Sequence, residues 1–280
     1  MPRSANGPEL VRELQERAAR GMPARQVEEV GGWWLRYAPG CSWWVSTVLP
    51  HGDARPDELE RRIAAAEEFY AARGAVTRFQ ITPPVCPQQL DARLAERGYL
   101  RCGSLSLQVA EAEQVSARAP ARSPRVHLRD RPDRAWLQAW GAVQGQHGDV
   151  RAEEELLDRI ALPCTYASAV LEEEVVAVGR AVVEAGWAGI FGMATLPRAR
   201  GRGAARAVLA ALADWAVAHA ADQLYLQVER DNAAAVRLYE RMGFSEVCEY
   251  HYRVSNGPAA PRSGSAAVAG DARPVRPDGS

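Results

Sequence analysis

The chain has 280 residues, 34 of them basic and 35 acidic, for a formal net charge of −1, with 47% hydrophobic and 25% charged residues. This is an ordinary globular composition with length for one large domain or two of usual size. Near-neutrality excludes the basic face of a dedicated nucleic-acid binder, and the lack of any apolar run of about 18 residues excludes a membrane-spanning helix.

The total hides an uneven distribution. Every basic residue is arginine, the composition that codon bias in a GC-rich genome would give, as the excess of alanine would. Residues 131–190 hold 5 Arg against 10 acids, whereas 191–210 hold 4 Arg and no acid. Residues 1–7 lack the apolar core of a secretion signal and read as a flexible N-terminus. Five scattered cysteines and five dispersed histidines form neither a disulfide framework nor a metal spacing. A cytoplasmic protein without a metal is expected.

In chain order, a first block over 8–110 shows a strand at 43–50, a helix at 56–70, a strand at 77–82, a helix at 88–97 and a strand at 104–109. Residues 111–124 are small, polar and punctuated by proline, the composition of a linker. A second block over 125–254 opens with a short strand at 126–129. Helices at 132–143 and 152–160 follow, then strands at 165–171 and 175–183 joined by an acidic turn. A strand at 189–197 leads into an alanine-rich helix through Trp215. A strand at 224–228, a helix at 233–242 and a strand at 246–254 complete the block. Residues 255–280 are too poor in large apolar side chains to bury a core and read as a disordered tail.

The two blocks repeat one another. Pro50 and Pro197 end corresponding strands 147 residues apart, and Gly98 and Gly243 follow corresponding helices 145 apart. Six landmarks in the same order over some sixty residues predict a tandem repeat. The order βααβββαβαβ in the second block predicts a mixed α/β layer architecture.

The stretch from Pro197 to Arg206, PRARGRGAAR, joins a strand to a helix. Gly201 and Gly203 permit a tight turn and close approach of a ligand to the backbone. The helix then begins with unpaired N–H groups directed at that turn, a geometry suited to phosphate. Arg198, Arg200, Arg202 and Arg206 add positive charge. The stretch is not a Walker A loop and lacks dinucleotide-binding spacing. A second motif, Asn232 to Phe244, reads NAAAVRLYERMGF, with Asn232 as a helix N-cap and Gly243 as its terminating glycine. Val236 and Tyr239 share one face of that helix.

Together these motifs resemble the GCN5-related N-acetyltransferase superfamily, whose Q/R-x-x-G-x-G/A signature matches Arg200 to Ala205. The superfamily's N-x-x-A-x-x-L-Y-x-x-x-G-F helix is filled at every position. The resemblance covers 125–254 and implies two tandem domains of this α/β fold, each with a mixed sheet flanked by helices, and acetyl-CoA as co-substrate. It places Met193, Ala194 and Thr195 along the pantetheine arm, and Arg200, Gly201, Arg202, Gly203, Ala204 and Ala205 at the pyrophosphate. It places Asn232 against the cofactor, and Tyr239 as the acid that protonates the departing thiolate. Some relatives that acetylate peptide termini carry a glutamate where Gln227 stands here, and a glutamine is no base. Glu229 faces the same side two residues on and is the candidate base. Glu184, Glu249 and His147 are the others.

The first block keeps the skeleton without the motif. After Pro50 the loop carries three acids, one glycine and a proline, and Leu94 stands opposite Tyr239. A degenerate copy is expected, with Trp33, Trp34, Trp43 and Trp44 as packing residues. The expected activity is acetylation of a primary amine on a small cationic molecule, such as an aminated antibiotic, because an acidic cleft over 131–190 would concentrate such an acceptor. Peptide or protein N-terminal acetylation, a reaction like that of mycothiol synthase, and a CoA-binding sensor without turnover are the alternatives. A monomer or homodimer without nucleic-acid or membrane partners is expected.

Overall fold

A computed structural model describes residues 7–120, 124–144 and 149–256. The expectations for 1–6 and 257–280 therefore lie outside the described residues. Helix α1 (Pro8–Gly21) begins on a proline at its first position and buries Val11, Leu14, Gln15 and Ala18 along one face. Strands β1 (Gln26–Val30) and β2 (Trp33–Tyr37) pair as a hairpin. The chain continues through β3 (Val48–Leu49), α2 (Pro56–Ala71), β4 (Arg78–Ile81), α3 (Leu90–Glu96) and β5 (Leu100–Glu111).

After α4 (Ala112–Ser116), the second block runs in the expected order. It comprises β6 (Arg125–Arg129), α5 (Arg134–Gln144), α6 (Val150–Asp158), β7 (Cys164–Leu171), β8 (Glu174–Glu184) and β9 (Trp187–Thr195). Helix α7 (Ala204–Ala218), β10 (Gln223–Glu229), α8 (Ala233–Met242) and β11 (Ser245–Val254) complete it.

Two stretches differ from the sequence expectation. Within 43–50, Trp43–Val45 forms a 3-10 turn and only Val48–Leu49 is strand. There the Trp43 and Trp44 rings pack edge to face at 5.8 Å, and the Ser46 hydroxyl accepts from the Ala38 N–H at 3.0 Å. These local bonds compete with sheet pairing. The segment 111–124 begins as a packed helix, since Ala112 and Val115 of α4 are fully buried in the core against α7. Its two apolar side chains are enough to seat one turn on a neighbouring helix, a signal diluted by the surrounding alanines, serines and prolines.

The described strands form one sheet of eleven, in the order β1-β2-β3-β4-β11-β5-β10-β9-β8-β7-β6. The last strand of each block lies inside the other block's half. Strand β5 pairs antiparallel with β10 from Gln223↔Glu111 to Glu229↔Leu105, and β11 pairs antiparallel with β4 from His251↔Ile81 to Val254↔Arg78. The two exchanged strands pair with each other at the centre. The expected pair of sheets is thus a single fused one, because each block's ladder is completed by its neighbour's terminal strand.

Alternation along the strands sorts the two faces. Leu224, Leu226 and Val228 of β10 join α7 and α8 in one core, while Tyr225 faces α1 with Leu107, Tyr250 and Tyr252. Leu209 and Leu212 of α7 are fully buried; burying each contributes about 1.5–3 kcal/mol. On the other half, Trp33, Phe79 and the α3 residue Leu94 share a core with α2, so the residue opposite Tyr239 is a packing leucine. Trp43 packs edge to face on Tyr252 at 4.8 Å, joining the two blocks.

Candidate acetyl-donor site

The site begins where β9 and β10 part. They pair in parallel over three residues only, ending at Tyr225↔Gly189. Strand β9 nevertheless continues to Thr195 and β10 to Glu229. A β-bulge drives the separation. Between Val178↔Ala194 and Arg180↔Phe191, Gly192 and Met193 stand opposite the single residue Gly179, and a bulge bends its strand and increases the local twist. Gly192 has φ +61°, a backbone conformation that glycine adopts without strain. Met193, Ala194 and Thr195 therefore lie on the stretch of β9 that has lost its neighbour, with backbone groups directed into the gap.

Past Leu196 a 3-10 turn over Pro197–Ala199 leads into the two glycines. Gly201 and Gly203 have φ +76° and +80°, and a Cβ at Gly201 would meet nothing within 4 Å. The first helical bond of α7 runs from Ala207 N–H to Gly203 O at 3.0 Å. The N–H groups just before it point out of the helix end toward the turn. Arg200, Gly201, Arg202, Gly203, Ala204 and Ala205 thus form a backbone cradle open on its outer side.

The arginines around this turn are not all available to a ligand. Arg202 pairs with Glu172 at 3.0 Å, and Arg198 pairs with Glu174, both acids lying at the β7–β8 turn. Arg206 donates to the Arg118 carbonyl at 2.8 Å. Part of the acidic balance of 131–190 is therefore matched to the basic loop itself. The other acids do not converge on one cleft: Glu184 pairs with Arg20 at 2.7 Å, and the buried Glu153 accepts from the Ser42 N–H at 2.6 Å.

Helix α8 starts on Asn232, whose Oδ1 accepts from the Ala235 N–H at 3.1 Å, and ends at Gly243 with φ +98°. Tyr239 projects into the α7-side core, its ring edge to face with Phe244 at 5.8 Å. Its hydroxyl makes no hydrogen bond among the described residues, and burial pushes its pKa up to about 12. The phenol stays protonated through the neutral range, the state a proton donor needs.

Glu229, exposed at the end of β10, lies on the opposite face with Gln227 and Tyr225. Two other base candidates are engaged elsewhere: Glu184 with Arg20, and Glu249 with Arg230 at 3.3 Å and the Ser104 hydroxyl at 2.8 Å. His147 lies outside the described residues. No group of three or more His, Cys, Asp and Glu able to hold a metal occurs among the described residues, and no described helix is long and apolar enough to cross a membrane.

The sequence did not reveal what supports this turn. A Cβ at Gly203 would lie 3.6 Å from Pro120, and one at Gly243 would lie 1.7 Å from Arg118 Nη1. The segment after α4 is therefore threaded between the two motifs. Gly243 serves both as a helix terminator and as a seat for the Arg118 guanidinium.

A family described as "Probable histone acetyltransferase Rv0428c C-terminal" matches residues 9–253. With the open strand pair and glycine turn in place, that match decides the assignment. The chain belongs to the GCN5-related N-acetyltransferase (GNAT) family. It is 29% identical over 252 residues to "Uncharacterized N-acetyltransferase YobR" of Bacillus subtilis (strain 168), covering 87% of this chain and 98% of that one. A GNAT protein from Kribbella flavida has the same fold, with TM-score 0.68 and 16% identity over 88% of this chain and 96% of its own. So does a tandem GNAT protein from the clavulanic acid biosynthesis pathway, with TM-score 0.62 and 14% identity over 92% and 91%. The match from 9 to 253 takes in both blocks.

Proposed function

We propose that the chain transfers an acetyl group from acetyl-CoA to the primary amine of a small molecule, at the gap between β9 and β10. The observation that carries this reading is the parting of those strands after three paired residues, directly upstream of a glycine turn and an open helix N-terminus. An extended arm with amide groups can take the place of the missing neighbour along Met193, Ala194 and Thr195. A diphosphate can sit on the N–H groups of Gly201 and of Gly203 to Ala205, while the Arg200 and Arg202 N–H groups donate to the Pro197 and Ala199 carbonyls at 3.3 and 3.4 Å. Acetyl-CoA has both parts and supplies the acetyl thioester. Asn232 contacts the cofactor in this reading, with its oxygen committed to capping α8.

In the transfer, a nitrogen–carbon bond forms as the carbon–sulfur bond breaks. A β9 backbone N–H polarises the carbonyl. The Tyr239 hydroxyl gives its proton to the departing sulfur, and Glu229, directly or through water, takes the proton the amine loses. The block over 8–110 acts in this reading as a degenerate copy without a cofactor turn of its own. In its place His51 is buried beside Glu16 at 3.3 Å. Of the acids behind the expectation of a cationic acceptor, Glu172, Glu174 and Glu184 are each matched by an arginine.

The test is thiol release from acetyl-CoA across a panel of small amines, peptide N-termini and a lysine-rich histone-tail peptide, the last chosen for the description of the matching family. Turnover fastest on small amines is expected. Preference for either peptide class would replace the acceptor assignment, and tight CoA binding without turnover on any amine would leave a sensor.

A further inference from the structure

Beneath α1, on the same face as Gln227 and Glu229, the structure holds a cavity of about 20 Å³ lined in part by Gln15, Arg36, Trp44, Gln80, Gln227 and Tyr252. A single water needs about 10–15 Å³, so the space admits a water or two, or a group the size of a carboxylate. Its lining has an unusual hydrogen-bonding balance. Gln15, fully buried on α1, accepts with its Oε1 from Gln227 Nε2 at 2.8 Å and from Gln80 Nε2. Gln80 and Gln227 are 147 residues apart, the spacing of the sequence repeat, so one α1 side chain joins the equivalent positions of both halves.

This arrangement leaves donors without acceptors. The Gln15 Nε2 and the Arg36 Nε and Nη2 are buried with no hydrogen-bond partner. Arg36 is only 4% exposed and forms no ion pair among the described residues. A buried guanidinium without a counter-charge is strongly destabilising. A glutamine amide left unmatched beside it adds to that cost. All three orphaned atoms are donors and two of them belong to a permanent cation, so an anion with at least two acceptor atoms is the partner that complements both their hydrogen bonding and their charge. A carboxylate fits the planar fork of arginine and the size of the space.

We propose that this cavity binds a carboxylate of the acyl acceptor, so that the substrate is an amine that also bears an acid group. The inference rests on acetyl transfer at the β9–β10 gap. The link between the two sites is Gln227, which lines the cavity and sits on β10 two residues beyond Tyr225, where β9 departs. It also gives the first block a task, since Arg36 and Gln80 come from it. The acceptor would be held by the degenerate half and acetylated on the other.

Two measurements test this on the full-length protein. The first is binding of acetate against neutral, similarly shaped acetamide, followed by Trp fluorescence and thermal shift, in wild type, Arg36→Met and Gln15→Leu. Removing a buried unpaired charge is tolerated by folds, and Gln15→Leu provides a second variant that keeps the cation. Acetate is expected to bind wild type more tightly than acetamide. Arg36→Met should lose about ten- to a hundredfold in acetate affinity, the range for a hydrogen bond to a charged group. Equal binding of acetate and acetamide, or an unchanged affinity in Arg36→Met, identifies a water-filled cavity and overturns the proposal.

The second is acetylation of glycine, β-alanine and longer ω-amino acids against their amides. One chain length should be favoured over its amide in wild type, through KM, and that preference should vanish in Arg36→Met. Amides acetylated as fast as acids at every length would overturn the acceptor assignment. Acetate binding without acetylation of any amine would instead refute the acetyl-transfer reading while leaving the carboxylate site standing.

Discussion

Replacing Tyr239 by Phe separates the chemistry of its hydroxyl from the packing of its ring. The ring fills a core with Leu226, Val228, Met242 and Phe244, all of which the phenylalanine would still touch. The hydroxyl has no hydrogen-bond partner among the described residues, and burial pushes its pKa up to about 12. Deleting it therefore leaves no donor or acceptor stranded, and the stability change should stay within about 1 kcal/mol. Loss of a general acid lowers the rate by about 10²–10⁴, and this corresponds to about 3–5 kcal/mol of barrier. The assay is thiol release under saturating amine, paired with CoA affinity by calorimetry and urea unfolding. A fall in kcat of at least a hundredfold with unchanged CoA affinity and unchanged unfolding midpoint is expected. Because the folded phenol stays protonated to about pH 12, this residue should impose no alkaline decline on wild-type activity up to pH 10. A variant retaining a third or more of wild-type kcat would refute the acid role, and a parallel loss of CoA affinity would reduce Tyr239 to a packing residue.

Releasing the loop arginines should tighten donor binding. Glu172→Gln with Glu174→Gln should lower the KM for acetyl-CoA and steepen its salt dependence, at a stability change of about 1 kcal/mol or less because both pairs are exposed; a higher KM would contradict it. Gly179→Ala places a Cβ 2.4 Å from Met193 Sδ and 3.0 Å from Val208 Cγ1. It should cost about 1–3 kcal/mol by overpacking and weaken acetyl-CoA binding as Met193 moves, both readable by urea titration and calorimetry. Glu16, with its hydrogen bond to His51 as the largest cause, is held at about 2 rather than 4.5. Its lowered pKa contributes stability that is present above pH 4.5 and lost as pH falls toward 2. Wild type should therefore exceed Glu16→Gln by about 1–2 kcal/mol at pH 6, after allowance for screening at a part-exposed site. That gap should narrow as pH falls below 4.5 and close only below about pH 2, where the folded carboxyl is itself protonated; a gap that is constant with pH would exclude the ionic explanation.

The two motifs were legible because they are local. A glycine turn before a helix and an asparagine-capped helix ending on glycine are set by residues within a dozen positions of one another, and their backbone angles match that reading at Gly201, Gly203 and Gly243. Local periodicity likewise yielded every element of the second block. It failed at Trp43 and Trp44, where an apolar run packs as a turn, and at 111–124, where two buried side chains are hidden among small residues. The first forty residues gave no reading of structure beyond their tryptophans, yet they form α1, β1 and β2, whose QVEEV edge strand has four exposed residues out of five.

What the sequence determined by itself was the family, the α/β order and the glycine turn before α7, all of which depend on residues close along the chain. Tertiary structure decided what depends on pairing across the chain. The ladder that β5 and β11 complete lies in the opposite half, since backbone hydrogen bonds do not record which block supplies them. Charge followed the same rule. The acidic and basic runs could be counted in the sequence, but only the fold matched Glu172 and Glu174 to the loop arginines and left the Nε and Nη2 of Arg36, a residue with no mark in the sequence, buried without a partner among the described residues.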